Sequence, residues 1–242
     1  MPPILQLNGL SKSFGAITVA DDLSYALEEG EALGIIGPNG AGKTTMFNLI
    51  TGTLAPNSGK IVFQGEDVTK HSAARRCRGG MARSFQVPQP FSGMTVFENA
   101  MIAATQAAGL SGYQAERLCI EVLEQTELLT KANTVSGSLT LLDRKRLELT
   151  RALCARPKLL MLDEIAGGLT DGECVSLINT IKDIHKSGVS IIWIEHVVHA
   201  LLAVVDRLIV IDFGKKIAEG EPKAIMASPE VQEIYLGIEV DA

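Results

Sequence analysis

The sequence is poor in aromatic residues, which occupy 5% of its 242 positions, and it carries no excess of positive charge. Its 22 Lys and Arg against 28 Asp and Glu give a formal net charge of −6, whereas nucleic-acid binders are usually basic. It has no uncharged apolar run of the roughly 18 residues that a membrane-spanning helix needs, and its first residues lack the pattern of a signal peptide. We therefore expect a cytoplasmic protein with no nucleic-acid partner and no membrane span of its own.

Cysteine is also scarce, and the four cysteines form no CxxC pair. The sequence therefore predicts neither a zinc site nor a disulfide framework. His196 and His199 form an HxxH pattern beside Glu195, but no third zinc ligand is evident, so a zinc site is the less favoured interpretation. Two short basic runs are interpreted as solvated faces or salt-bridge partners: Arg75, Arg76 and Arg78, and Arg144, Lys145 and Arg146.

Short apolar runs alternate with helical patterns, which is typical of an α/β fold. Three buried parallel strands are predicted in the second half, at Leu159–Asp163, Ser190–Glu195 and Arg207–Asp212. Earlier strands are predicted at Ile4–Leu7, Val19–Leu27, Glu31–Ile36, Lys60–Phe63 and Met81–Gln86. Residues 95–156 are predicted to be helical, beginning with a capping box formed by Thr95 and Glu98. Further helices are predicted at Lys43–Thr51, Glu116–Leu128, Arg144–Cys154 and Gly172–Lys186.

The segment Gly37-Pro-Asn-Gly-Ala-Gly-Lys43-Thr44 fits the pattern GxxxxGK[ST], and it follows a predicted strand and opens a predicted helix. In such a loop, backbone N–H groups and the helix N-terminus surround phosphate oxygens, so side chains at Gly40 and Gly42 would block the approach. Lys43 is predicted to contact the β- and γ-phosphates, and the Thr44 hydroxyl to ligate Mg²⁺. Other predicted nucleotide contacts in and after the loop are Gly37, Asn39, Ala41 and Thr45.

Two carboxylates, Asp163 and Glu164, follow the buried run Leu159–Leu162. Ligands of α/β sheets bind at the carboxyl ends of strands, so we expect Asp163 to hold Mg²⁺ and Glu164 to orient or deprotonate the attacking water. An acidic turn at a strand end is the alternative, and the phosphate loop makes it the less favoured one.

Together these residues resemble the ATP-binding cassette (ABC) family, and the resemblance covers nearly the whole chain. It implies that Phe14 stacks on adenine, that Gln86 senses Mg²⁺ and a membrane partner, and that His196 contacts the γ-phosphate. ATP and Mg²⁺ are the implied cofactors. Taken alone, Phe14 would more often be a core residue, and Gln86 a solvated loop residue.

The fold implied by this resemblance is an α/β P-loop NTPase of the ABC ATPase type. It has a RecA-like parallel sheet core, an amino-terminal antiparallel β subdomain and an inserted α-helical subdomain. We expect a single ABC ATPase domain over residues 1–242, in which 1–86 and 157–242 form the nucleotide-binding core and 87–156 the helical subdomain.

Three stretches resemble the importer ATPases for branched-chain amino acids and related amides: 87–99, 166–170 and 220–237. Such proteins work with a second ABC ATPase subunit, identical or not, with two transmembrane permease subunits and, indirectly, with a solute-binding protein. The resemblance places the chain peripherally on the inner face of the cell membrane, with residues 86–97 as the docking surface.

The signature of the family, LSGGQ, is altered here to Leu139-Thr-Leu-Leu-Asp143, with Thr140 at the expected distance before Asp163. The stretch Val135-Ser-Gly-Ser-Leu139 fits better by letters but lies four residues too early. In the family, each ATP lies between one phosphate loop and the signature of the other subunit, which implies that Thr140 contacts a nucleotide through its hydroxyl. A carboxylate at Asp143 would be repelled by a phosphate at 4 Å by about 4 kcal/mol per unit charge at ε ≈ 20. We therefore expect one of two outcomes: either the Asp143 side chain points away from the phosphate and pairs with a neighbouring Arg or Lys, or the site is impaired.

The altered signature suggests the hypothesis that this chain works beside a non-identical cassette with an intact signature. The main functional alternative is a soluble ABC-type ATPase that regulates a nucleic-acid or translation complex, but such proteins usually carry insertions for which this chain has no room. A non-hydrolysing ATP clamp is disfavoured by Glu164 and His196, and a small-molecule P-loop kinase would not explain Gln86.

Overall fold

The computed structural model describes residues 2–236, with side chains through Ile234. Its strands are β1 Leu5–Phe14, β2 Ile17–Leu27, β3 Ala32–Ile36, β4 Ser58–Phe63, β5 Glu66–Asp67, β6 Met81–Arg83, β7 Leu159–Asp163, β8 Ser190–Ile194, β9 Arg207–Asp212 and β10 Lys215–Gly220. Its helices are α1 Lys43–Thr51, α2 Ala73–Arg78, α3 Val96–Gln106, α4 Gly112–Gln125, α5 Leu141–Cys154, α6 Asp171–Lys186, α7 Val198–Leu202, α8 Pro222–Met226 and α9 Pro229–Leu236.

The larger sheet has six strands in the order β10-β9-β3-β8-β7-β6, and all neighbours are parallel except the β9–β10 hairpin. Every residue of β3, β7 and β8 is buried, as expected for strands covered on both faces. The predicted parallel sheet is therefore confirmed. The smaller sheet, β2-β1-β4-β5, is wholly antiparallel, which confirms the predicted amino-terminal β unit.

Alternate residues of the central strands enter two different cores, because successive side chains in a strand point to opposite faces. Leu33 and Met161 pack towards α1 and the smaller sheet. Leu160 and Trp193 pack on the other face, towards α6 and the group α3–α5. The carboxyl ends of β3, β7 and β8 consequently open towards one edge of the sheet, where α1 begins.

Some predicted boundaries are wrong. Strand β1 continues to Phe14 instead of ending at Leu7. Its second half contains Gly9 and polar residues that break the alternation of apolar and polar side chains, but it still pairs with β2 through several shifts of register. Strand β6 ends at Arg83 instead of Gln86, which leaves Gln86 on a loop. Helix α4 ends at Gln125 instead of Leu128, because the chain turns at Glu127, whose φ is +58°.

The interpretation of both basic runs as solvated faces or salt-bridge partners holds for Arg75 and Arg146, which pair with Glu66 and Glu127, but a solvated face is wrong for part of each run. Arg76, Lys145 and Arg146 are buried. Arg76 donates hydrogen bonds to the carbonyl oxygens of Leu49 and Ile50 at 2.8 and 2.7 Å, near the end of α1. The last carbonyls of a helix lack partners within it, so a buried guanidinium can satisfy them. Within residues 2–236, no helix is both long and apolar enough to span a bilayer.

Candidate active site

The phosphate loop connects β3 to α1, and its glycines are required by close contacts. A Cβ at Gly37 would lie 2.0 Å from the carbonyl oxygen of Ile211, and one at Gly42 would lie 2.2 Å from that of Val19. Gly42 is also the N-cap of α1 with φ +99°, a conformation that glycine adopts readily. Gly40, at φ +82°, has open space around it. The loop is thus fixed by neighbouring strands while its outer surface stays accessible.

Lys43 lies inside this loop and is almost fully buried. Its Nζ donates hydrogen bonds to the carbonyl oxygens of Gly37 and Pro38 at 2.7 and 2.9 Å. Burial lowers the pKa of Lys43, and the carboxylates of Glu164 and Asp163 act in the opposite direction. The ammonium is therefore held by the loop, within electrostatic reach of Asp163 and Glu164. Thr44 is exposed and Thr45 half-buried in the first turn of α1, where helix N–H groups have no partner within the helix.

Asp163 ends β7 and is held by an arginine that the sequence analysis did not single out. Arg83, at the end of β6, donates to Oδ2 of Asp163 at 2.5 Å and to Oδ1 of Asn48 at 2.6 Å. Its guanidinium also lies over the rings of Phe47 and Phe85. Arg83 lies in the middle of the predicted strand Met81–Gln86 and carries no motif, and only the pairing of β6 with β7 brings it to Asp163.

The second carboxylate oxygen of Asp163, Oδ1, is buried and has no hydrogen-bond partner within the described residues. Burial raises the pKa of Asp163, and the hydrogen bond and charge of Arg83 offset this only in part. A buried, unpaired carboxylate oxygen is costly, and a hard divalent cation is the kind of group that it would bind. The exposed Thr44 hydroxyl and the Gln86 side-chain carbonyl are oxygen donors of the same class, so this donor set fits Mg²⁺.

Gln86 and His196 converge on the carboxylate of Glu164. Nε2 of Gln86 donates to Oε2 of Glu164, and Nε2 of His196 lies 2.8 Å from Oε1. Glu164 adopts φ +47°, a region that residues with a Cβ seldom occupy and that is common at active sites. Three residues distant in sequence thus meet at one carboxylate, beside the end of β7.

Phe14 lies at the end of β1, where the chain turns into β2, and its side chain is 51% exposed. The alternative that it is a core residue is therefore excluded. Nζ of Lys12 lies 5.2 Å from the ring centroid. The hairpin that carries Phe14 touches the phosphate loop, because Val19 of β2 contacts Gly42. Phe14 is thus an exposed aromatic residue on a hairpin that adjoins the phosphate loop.

The altered signature lies at the start of α5. Thr140 is the N-cap of this helix, and its hydroxyl accepts a hydrogen bond from the Asp143 N–H and donates one to the Asp143 carboxylate. In the alternative stretch, Ser136 is buried, and its hydroxyl donates to the carbonyl oxygen of Phe91. The position chosen by spacing is therefore the one at a helix N-terminus.

Asp143 is buried and paired, as one of the two expectations required. Nζ of Lys131 lies 2.5 Å from its Oδ2. Burial acts to raise the pKa of Asp143, but the hydrogen bonds from Lys131 and Thr140 outweigh it and hold the pKa below the usual value. The carboxylate is thus charged, and its charge is neutralised by a lysine of the same chain.

In the described part of the chain, no group of three or more His, Cys, Asp or Glu is placed to hold a metal, so the zinc interpretation of His196 and His199 gains no support.

The arrangement combines an anion-binding loop, a buried ammonium, an unpaired carboxylate oxygen suited to a cation, and a second carboxylate oriented by a glutamine and a histidine. These are the elements of nucleoside triphosphate hydrolysis, in which phosphate charge is neutralised while a carboxylate positions the attacking water. The adjoining exposed aromatic ring gives a purine base a surface on which to stack.

Comparisons with known proteins agree with this geometry. A family profile described as ABC transporter matches residues 20–167, and a profile described as branched-chain amino acid ATP-binding cassette transporter matches residues 215–241. The second match begins with β10 and ends outside the described residues, as does the predicted family stretch that ends at Gly237.

Curated relatives match over nearly the full length. The high-affinity branched-chain amino acid transport ATP-binding protein BraF of Pseudomonas aeruginosa is 34% identical, over 97% of this chain and 98% of its own. The corresponding LivG protein of Escherichia coli is 35% identical over the same shares. The lipopolysaccharide export system ATP-binding protein LptB of Haemophilus influenzae is 32% identical, over 97% of each chain.

Solved structures of ATP-binding cassettes also match this chain over nearly its full length. A nucleotide-free ATP-binding cassette from an ABC transporter has a TM-score of 0.88 at 31% identity, covering 98% of this chain and 100% of that one. The ADP conformation of an ATP-binding cassette of an ABC transporter has a TM-score of 0.88 at 30% identity, with the same coverage. The resemblance stated from the sequence is thereby confirmed: the chain belongs to the ABC transporter family, as an ATP-binding and ATP-hydrolysing subunit.

Proposed function

We propose that this chain couples hydrolysis of magnesium-bound ATP to solute import through a membrane permease. The observation that carries the proposal is the convergence of Gln86 and His196 on Glu164, at the strand end beside the phosphate loop. Glu164 then acts as the base for the attacking water, His196 contacts the γ-phosphate, and Gln86 links the site to the loop that follows it.

The nucleotide contacts of the proposal divide by chemistry. Phe14 stacks on adenine, and the loop residues Gly37, Asn39, Gly40, Ala41, Gly42, Lys43, Thr44 and Thr45 bind the phosphates. Thr44, Gln86 and Asp163 would hold Mg²⁺, which supplies charge neutralisation on the phosphates when it is bound. Arg83 keeps Asp163 in place by occupying its other oxygen.

The proposed solutes are branched-chain amino acids or related amides. The match of residues 215–241 to a branched-chain amino acid profile supports this class, as do the names of BraF and LivG. A relative of similar identity is named for lipopolysaccharide export, so the carboxyl-terminal match is what favours import. The permease supplies solute selectivity, and a solute-binding protein acts upstream of it.

The proposed docking surface for the permease includes residues 86–97. A cleft of about 420 Å³ lies between this segment, α2 and α3, and Phe85, Phe91 and Arg151 contribute to its lining. Glu148 and Arg151 of α5 hold the segment through hydrogen bonds to the backbone of Gln89. The proposed location is peripheral, on the inner face of the cell membrane, where this segment can contact a permease subunit.

The partner cassette is proposed to be a different chain with an intact signature. The N-terminus of α5 faces its own Asp143, because Thr140 and Lys131 both bind that carboxylate. A phosphate at this end of the helix would have to compete for the Thr140 hydroxyl with the Asp143 carboxylate that already binds it. Phosphate binding by this signature is thus weakened, whereas the phosphate loop, Asp163, Glu164 and His196 are all in place for a site completed by the partner.

Purification of the tagged chain with its membrane partners tests this function. The complex, reconstituted in vesicles with its binding protein, is expected to take up labelled leucine with ATP inside and to hydrolyse ATP faster when leucine is present. Lys43→Ala, which removes the phosphate-binding ammonium, is the non-binding control. Leucine-independent turnover with no uptake of leucine or acetamide would contradict the solute class. Copurification with ribosomes or nucleic acid in place of a permease would favour the alternative of a soluble regulatory ATPase.

A further inference from the structure

A buried carboxylate lies directly behind the proposed hydrolytic residues and has no role in the function described above. Glu195, the residue after β8, is 1% exposed. A buried carboxylate is unfavourable unless several donors surround it, so the donors around Glu195 indicate which parts of the chain it stabilises.

Each carboxylate oxygen of Glu195 binds a different turn of the active site. Oε2 accepts hydrogen bonds from the Ala166 N–H at 3.0 Å and from the Trp193 indole N–H at 3.3 Å. Oε1 accepts from the N–H groups of His196 and Val197 at 3.1 and 3.4 Å. Ala166 follows Glu164 by two residues, and His196 is the residue that contacts Glu164. One carboxylate therefore connects the two turns that carry the base and its histidine.

A lysine from the helical group, by which we mean α3–α5, contacts the turn that carries Glu164. Lys145 of α5 is almost completely buried, and its Nζ donates to the carbonyl oxygen of Glu164 at 3.3 Å. Burial lowers the pKa of Lys145, and the negative charges of Glu195 and Glu164 oppose this. Lys145 is also the fifth residue of α5, in the first two turns of the helix that bears the altered signature.

We propose that Glu195 and Lys145 are positioning residues that connect the signature helix α5 to the Glu164–His196 pair. When α5 lies against the end of β7 as in this structure, Lys145 fixes the backbone of Glu164, and Glu195 fixes the turn of His196 relative to Glu164. A movement of the helical group would withdraw Lys145 and release this geometry. Neither side chain is proposed to touch ATP.

This inference rests on the proposed roles of Glu164 and His196, so those roles are measured first in the same permease complex. Glu164→Gln is expected to bind ATP and to lose hydrolysis. If Glu164→Gln turns over ATP at the parent rate, the proposed function fails at its base. If Glu164→Gln is inactive but Glu195→Gln behaves as the parent, only the present inference fails.

Glu195→Gln keeps the size of the side chain but replaces one acceptor oxygen by an NH₂ group, so it cannot accept hydrogen bonds from both turns. We expect kcat for ATP to fall by about tenfold or more while KM changes less than about twofold, which is the pattern of lost transition-state alignment without lost binding. Glu121→Gln, the same change at an exposed residue that pairs with Arg117, is the matched control and should retain the parent values.

Two double variants separate positioning from a general loss of structure. In a His196→Ala background, Glu195→Gln is expected to cause no further loss of kcat, because the residue that it positions is gone. Lys145→Met should lower kcat with KM unchanged, and its effect should not add to that of Glu195→Gln. Additive losses in either pair, or a raised KM with unchanged kcat, would overturn the proposal. If Glu195→Gln does not fold, Lys145→Met alone decides, because a fall in kcat with KM unchanged supports the proposal and a raised KM with unchanged kcat overturns it.

Discussion

At the scale of single residues, the phosphate loop distinguishes two kinds of glycine. Gly42 combines a positive φ with a Cβ position only 2.2 Å from a backbone oxygen, whereas Gly40 has a positive φ but open space. A side chain at Gly40 meets only a conformational penalty, while one at Gly42 also forces the loop and β2 apart.

The two alanine variants should therefore differ. Gly40→Ala is expected to lower the free energy of unfolding by about 1 kcal/mol, from backbone strain alone. Gly42→Ala is expected to cost more than about 2 kcal/mol, since a backbone clash adds to the strain. Denaturant unfolding of the purified chain measures both values. Equal costs would contradict the view that contact with Val19 fixes the loop.

At the scale of elements, helix α1 depends on a residue outside itself. The guanidinium of Arg76 donates to four backbone carbonyls, those of Leu49, Ile50, Thr69 and His71. It thereby attaches the end of α1 to the segment that leads into α2. A lysine has three donors on a single atom and cannot span these acceptors.

Arg76→Lys is therefore expected to lower the free energy of unfolding by about 2–3 kcal/mol, because buried carbonyls lose their partners. Arg75→Lys, at the exposed neighbour that pairs with Glu66, should change it by less than about 0.5 kcal/mol. Denaturant unfolding with both variants checks the difference. If both substitutions have the same small effect, Arg76 does not hold the end of α1.

The start of α5 should respond to pH through Asp143. Its folded-state pKa lies below the ordinary value of 3.8, so its ionised form stabilises the fold above that value, and the stabilisation is lost as the pH falls through the folded-state pKa. Asp143→Asn is expected to cost about 1–2 kcal/mol at pH 7, and the difference from the parent should narrow below pH 3.8. Unfolding curves at several pH values measure this, and a difference that does not change with pH would contradict the ionised pair.

The elements were predictable where local signals determine them. Helix α1 has the predicted bounds, because the loop precedes it and Gly52, at φ +78°, ends it. Strand β10 was not predicted, because it lies at the edge of its sheet and has no buried residue among Lys215–Gly220. The burial of Arg76 could not be predicted, since two of its carbonyl partners, Leu49 and Ile50 of α1, lie 27 and 26 residues away.

The residues of the candidate site were predictable where they belong to a local sequence motif. Gly37–Thr44 and Asp163–Glu164 carry local patterns, whereas Gln86 and His196 were identified only through the family resemblance. Pairing of Asp143 with a basic residue was one of the two expectations, but its partner, Lys131, was not predicted, because it lies 12 residues earlier in the short turn Leu129–Lys131 after α4. Glu195 and Lys145 carry no motif, and their contacts depend on tertiary packing.

At the scale of the whole molecule, the chain combines the proposed hydrolytic groups with a signature in which Thr140 binds the Asp143 carboxylate. A pair of identical chains would place two such altered signatures over two phosphate loops. The purified chain alone is therefore expected to hydrolyse ATP slowly, and fast turnover by a homodimer would contradict the unequal pair.

The most direct test replaces the proposed base in one cassette of the complex at a time and measures steady-state ATP hydrolysis. Glu164→Gln in this chain is expected to lower kcat by about a hundredfold or more, because it removes the base from the site that an intact signature completes. The corresponding carboxylate-to-amide change in the partner cassette should leave at least about half of the activity. Equal losses from the two changes, or a larger loss from the partner cassette, would contradict the account.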